Sequence, residues 1–176
     1  MLKFLLVSLG LVVLVLSYLP LRQSTSYVAK QENQLSIQME QSVTRFINRE
    51  NPEKRFQIIS EQLNFDEAVD QTRFSPFSMT GHTGQLSLKG DSEMAILSQQ
   101  QLDLHRKVLL QQSTEQATPR RFHSDLLHIN LKTHALESPQ KIMVIDEKQH
   151  IEADSLIGNY EEGWYEFTQH VKTQWQ

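Results

Sequence analysis

Residues 102–110 read L-D-L-H-R-K-V-L-L, and this stretch decides the fold. Leu102, Leu104, Val108 and Leu110 share one parity, with Arg106 in their midst. Side chains two apart along a strand point to the same face, so this spacing predicts a strand buried on one side. A helix over Asp91–Leu110 is the competing reading, but Leu102 and Leu104 break a 3.6-residue period. The same alternation recurs on both sides. Phe56 and Ile58, Leu63 and Phe65, Leu86 and Leu88, Met94 and Ile96 precede it. Ile129 and Leu131, Ile142 and Val144, Ile151 and Ala153 follow it. Tyr165, Phe167, Val171 and Trp175 share the parity of a last strand, read as Tyr165 to Trp175. A first strand is expected over Leu35 to Ile47. Turn chemistry stands at N-P-E, 51–53, and at Lys89, Gly90 and Asp91. Many short strands with one-sided burial predict an all-β domain of antiparallel strands, a sandwich or roll.

The N-terminus is of another kind. Phe4–Leu19 carries no charge, and Pro20 ends the run. A spanning helix needs about 20 apolar residues, which Phe4–Leu21 nearly supplies. The following Y-L-P-L-R-Q has no small-x-small cleavage pattern, so an uncleaved anchor is favoured over a cleaved signal. Lys3 before the span favours a cytoplasmic N-terminus. The expected organisation is an anchor over residues 1–22, a polar tether over 23–34 and a β-domain over 35–176, with the bulk in the periplasm.

Composition removes several function classes. The net charge of −4 argues against a nucleic-acid binder, which needs a basic face. With no cysteine, zinc–thiolate sites, disulfide scaffolds and cysteine nucleophiles are excluded. Seven histidines occur without an H-E-x-x-H or H-x-H pair. His123 and His128 have opposite parity in a strand, and solvated strand histidines are the expectation. No G-x-S-x-G elbow or glycine-rich phosphate loop is present. Arg106, Lys107, Arg120 and Arg121 are read as solvated strand ends, with local phosphate contacts as the alternative.

The order of segments resembles the lipopolysaccharide export family LptC. The resemblance rests on N-P-E at 51–53 with R-F-Q-I-I-S-E-Q-L at 55–63 and F-S-P-F at 74–77. It continues through L-D-L-H-R-K-V at 102–108, R-R-F-H-S-D-L-L-H-I-N-L at 120–131 and E-S-P at 137–139. H-I-E-A-D-S-L at 150–156 and F-T-Q-H-V-K-T at 167–173 complete it. The resemblance implies a twisted β-jelly-roll slot on the periplasmic side of the inner membrane, in a single-pass subunit of the LptB2FG transporter. That subunit passes lipopolysaccharide to the bridge protein LptA. It implies no catalytic residue and no cofactor, since partner subunits hydrolyse ATP. The expected slot lining is Phe65, Leu86, Leu88, Leu104, Val108, Ile129, Leu131, Val144, Ile151 and Phe167. Leu35, Ile37 and Met39 are expected to dock on the transporter. Tyr165, Val171 and Trp175 are expected to dock the bridge through an uncovered strand edge. Arg106 and Ser155 stand where the family has glycine, and Arg106 at an inward parity is expected to narrow the slot or reach its rim. Two alternatives stay open: a soluble bridge with a cleaved signal, and a tethered β scaffold with a filled core and no lipid ligand.

Overall fold

The strand-forming alternation continues through the chain, and its consequence is one long antiparallel sheet that folds over on itself. In the computed structural model, residues 36–47, 55–114 and 117–175 are described. The expected anchor over 1–22, the expected tether over 23–34, Leu35 and the turn expected at 51–53 lie outside them. Thirteen strands join the sheet. They are β1 Ser36–Ile47, β2 Arg55–Asp66, β3 Gln71–Thr83, β4 Leu86–Ser92, β5 Met94–Ser98, β6 Gln101–Thr114 and β7 Ala117–Asn130. After these come β8 Ala135–Ser138, β9 Ile142–Ile145, β10 Gln149–Ala153, β11 Ser155–Asn159, β12 Trp164–Thr168 and β13 Lys172–Trp175. The Asp91–Leu110 segment is β4, β5 and β6, with no helix.

A single bend divides the sheet into two walls. Long strands change partner at it. β3 pairs β5 over residues 71–74 and β4 over 77–83. β6 likewise pairs β5 up to His105 and β4 from Leu109. β7 pairs β8 at His128 and Ile129, then β9 over 121–124. The first wall therefore runs through β5, β8, β11 and β12, and the second through β4, β9, β10 and β13. β1, β2, β3, β6 and β7 cross from one wall to the other.

The bend has a chemical signature in serine. A backbone that turns out of the ladder loses hydrogen-bond partners, and short hydroxyl side chains supply them. Ser60 Oγ donates to the Gln62 carbonyl (2.6 Å) and accepts from the Ser75 amide (2.9 Å). Ser75 Oγ donates to the Glu93 carbonyl (3.1 Å), and Ser92 Oγ to that of Met94 (2.9 Å). The Ser124 and Ser138 hydroxyls lie 2.9 Å apart. Ser155 and Thr168 pair side chain to side chain.

At the same level β6 carries a bulge between His105 and Val108, where two residues face one on β7. Arg106 and Lys107 take up φ of 61° and 51° there. Arg106 is thus a left-handed residue at the outside of the bend, exposed to solvent, and does not enter the interior. The expectation that it narrows the slot is corrected: the bulge turns the side chain outward. The turn expected at Lys89–Asp91 is also absent. β4 runs straight through Gly90, whose vacant Cβ position is flanked by Met79 and Leu110, and the chain breaks at Glu93 instead.

The bend also reverses the link between parity and face. Ser124 on the second wall and Leu127 on the first are both inward, so His123 and His128 both point outward. The opposite-face reading fails because it treats β7 as straight. His128 is not simply solvated: its Nδ1 lies 2.6 Å from Asp103 Oδ1.

Loops follow a repeated recipe. Asp66, Asn130 and Asn159 each accept backbone amides two or three residues on. The residue four after each, Asp70, His134 and Gly163, has positive φ and returns the chain.

Candidate functional site

The two inner faces are apolar and meet as one interior. Phe74, Leu102, Leu104, Leu127, Ile129, Leu136 and Leu156 come from the first wall. Ile58, Met79, Leu88, Leu110, Phe122 and Val144 come from the second. Each such side chain contributes about 1.5–3 kcal/mol on leaving water. All ten residues expected to line a slot lie in this interior. Leu86, Leu88, Leu104, Val108, Ile129 and Val144 are fully buried, while Phe65, Leu131, Ile151 and Phe167 pack against them half-buried.

Opposite the bend, the free rims of the walls are held together in the middle by polar bonds. Thr83 Oγ1 donates to Glu161 Oε1 (3.2 Å), and Gln112 Nε2 donates to the Tyr160 carbonyl (2.8 Å). The Tyr165 hydroxyl donates to Gln112 Oε1 (2.6 Å). His134 pairs with Glu161 from beneath. Burial raises the Tyr165 phenol to about 12, so the donor stays protonated at any physiological pH. Burial raises the Tyr160 phenol further.

A cleft opens on either side of this clasp. On the side of β1, a cavity of about 560 Å³ is lined by Phe46, Phe56, Leu97 and Leu131, with Arg45 and Lys132 at its rim. Toward β12 and β13, a cavity of about 210 Å³ lies among Val144, Ile151, Tyr165, Phe167 and Arg120. Between the clefts the interior is filled by the protein's own side chains. Phe46, Phe56 and Leu97 were not among the residues expected from sequence to line the slot. Their signal is register: Phe46 stands opposite Phe56 across β1 and β2. Only folding the walls together brings Leu97 and Leu131 over that pair.

The ends of the sheet are edges. Among the described residues β1 pairs only with β2, β12 only with β11, and β13 only with β10. Ile37 and Met39 face inward opposite Phe65 and Leu63, and Met39 is 49% exposed at the end of the interior. The single last strand expected from Tyr165 to Trp175 is two strands. Gln169 and His170 both have positive φ and carry the chain around the bend from β12 to β13. Tyr165 consequently faces the interior, Val171 lies exposed between strands, and Trp175 is 75% exposed on β13. These three do not share one docking face on one strand.

A folded sheet with an apolar interior and two free edges matches known proteins. The family described as "Lipopolysaccharide-assembly, LptC-related" matches residues 4–176. The chain belongs to this family. Its role accordingly lies in lipopolysaccharide transport. The fold is similar to that of LptH from Pseudomonas aeruginosa, described as the LptA-homologous periplasmic component of the lipopolysaccharide transport device. The TM-score is 0.59 at 9% identity, over 69% of this chain and 94% of LptH. No curated protein matches the chain in sequence.

Proposed function

We propose that this chain is the single-pass inner-membrane subunit that takes lipopolysaccharide from the LptB2FG transporter and hands it to the bridge protein LptA. The observation that carries the reading is an apolar interior running between two walls of one sheet, with an unpaired edge at each end. Acyl chains leaving a bilayer need such a path, since each CH₂ exposed to water costs about 0.8 kcal/mol. The residues over 1–22 act as the anchor, with the N-terminus in the cytoplasm and the β-domain in the periplasm. The β1 edge, with Ile37 and Met39, takes the transporter's side. The β12–β13 edge, with Trp175 and Val171, takes the bridge. An unpaired edge offers amides and carbonyls to an incoming strand.

Site-specific photocrosslinking in cells tests this. Probes at Leu131 and Val144, which border the two clefts, should capture lipopolysaccharide, and a probe at the outward Lys132 rim should capture less. Capture only from outward positions such as Arg121 would refute the slot. Removing residues 171–176 takes away β13 while leaving the core-packed Tyr165 and Phe167. Loss of LptA pull-down with retained membrane association is expected; survival of the pull-down would refute C-terminal docking. One observation favours the tethered scaffold as a second reading: Leu102, Leu104, Leu110 and Ile129 fill the middle of the interior completely. The crosslinking result separates the two.

A further inference from the structure

Among the described strand residues, the inward face carries one charged side chain, Arg120 on β7. Its inward neighbour Phe122 is fully buried, and the Phe122 ring packs tilted against Tyr165 of the opposite wall, with centroids 5.1 Å apart. The Arg120 guanidinium lies 5.2 Å from the same Tyr165 ring, and its side chain is 34% exposed. A cation held inside an apolar slot is unfavourable unless an anion balances it.

The protein's own anions are largely committed elsewhere. Asp146 is the nearest, with Oδ2 3.8 Å from Arg120 Nε. Yet Asp146 Oδ1 accepts the amides of Lys148 (2.9 Å) and Gln149 (3.0 Å), and Oδ2 accepts Gln149 Nε2 (3.2 Å). Burial opposes its ionisation, and these bonds, with a last and smallest contribution from the Arg120 charge, outweigh burial to hold its pKa below the ordinary carboxylate value. Asp146 is therefore the cap of its own loop. Glu147 accepts a 2.6 Å bond from Thr118 Oγ1. Lys148 adds a second cation to the same rim, where a cavity of about 560 Å³ opens to Trp175.

Arg120 also borders the smaller apolar cavity with Val144, Ile151 and Phe167. Apolar lining and a cation held by one long ion pair thus adjoin. We propose that Arg120 is an anion subsite within the slot, seating a phosphate of an amphiphile whose acyl chain lies against Val144, Ile151 and Phe167. This rests on the reading of the slot as a lipid path, and it adds that the slot senses the lipid's charged end. A planar guanidinium suits phosphate through paired N–H donors.

The test measures affinity of the full chain in neutral detergent for bisphosphorylated lipid A and for fully dephosphorylated lipid A, with orthophosphate as competitor. The readout is the ratio of the two Kd values. One charge-assisted contact predicts a preference of about tenfold for the phosphorylated lipid. Arg120→Gln should bring the ratio close to one, and Arg120→Lys should retain part of it. A ratio near one in the unsubstituted chain, or one that Arg120→Gln leaves intact, overturns the subsite while the slot stands. Binding of neither lipid overturns both. Displacement by orthophosphate at the lipid's own concentration makes the site one for the free ion and overturns the amphiphile assignment. Unfolding midpoints of both variants matched to the parent chain show that the ratio reports binding; if Arg120→Gln melts early, the Arg120→Lys ratio decides.

Discussion

Replacing Arg106 with glycine should stabilise this protein. Arg106 sits in the β6 bulge at φ 61°, a conformation that costs an L-residue roughly 1–2 kcal/mol through contact of Cβ with the following carbonyl. Glycine removes that contact, and its greater freedom in the unfolded chain takes back about 0.5–1 kcal/mol. The exposed guanidinium contributes no packing to the core. What the site needs is the backbone: the Arg106 carbonyl accepts the Glu93 amide at 3.1 Å, which glycine preserves. The net gain is about 0.5–1 kcal/mol. At a urea m-value of about 2 kcal/mol/M, the midpoint rises by roughly 0.3–0.5 M. Trp164 and Trp175 report unfolding by fluorescence. Arg106→Ala keeps a Cβ and should stay near the parent, while Arg106→Val should fall below it because a β-branched residue tolerates positive φ worst. A Gly variant no more stable than parent and Ala, or a Val variant equal to them, refutes the argument from backbone strain.

Truncating the interior is the opposite case: Leu104→Ala and Leu110→Ala should each lower stability by about 2–5 kcal/mol, read from urea midpoints, whereas exposed Lys89→Ala should change it by less than about 0.5 kcal/mol. Tyr165→Phe removes the cross-wall bond to Gln112 and should cost about 1 kcal/mol, with faster hydrogen exchange at the 160–163 loop. Burial, aided by Arg121, holds the His123 pKa below its usual 6.5. The unfolded chain then binds the extra proton, so stability is full above pH 6.5 and declines as pH falls toward the folded pKa. His123→Gln should flatten that part of the midpoint-versus-pH curve. Gly81→Val drives a side chain into the Phe56 ring and should displace it into the neighbouring cleft, lowering both stability and lipid capture from a probe at Leu131.

The strand content was legible because burial on one face forces period two, and Leu102, Leu104, Val108 and Leu110 obey it. The inward set was legible for the same reason, which is why all ten expected lining residues lie in the interior. Three differences in facing share one origin. Parity was carried through positions where the strand bends: Arg106 was placed inward, His123 and His128 on opposite faces, and Tyr165 with Trp175 on one strand. The alternation breaks at the bend, through positive φ and a bulge on β6 opposite β7, and through positive φ between β12 and β13. Serine at those positions carries the only local hint, and serine is equally at home in loops.

The sequence by itself determined the local state: which residues make strands and which faces are apolar. These depend on neighbours within a few residues, so the pattern contains them. Tertiary structure decided which walls oppose each other. It brought Thr83 to Glu161, Gln112 to Tyr160 and Arg120 to Tyr165, pairs separated by tens of residues. It also split the interior into two clefts about a clasp. Contacts between walls depend on where the sheet bends and how tightly it closes, and alternation along a strand is the same whether the sheet is flat or folded.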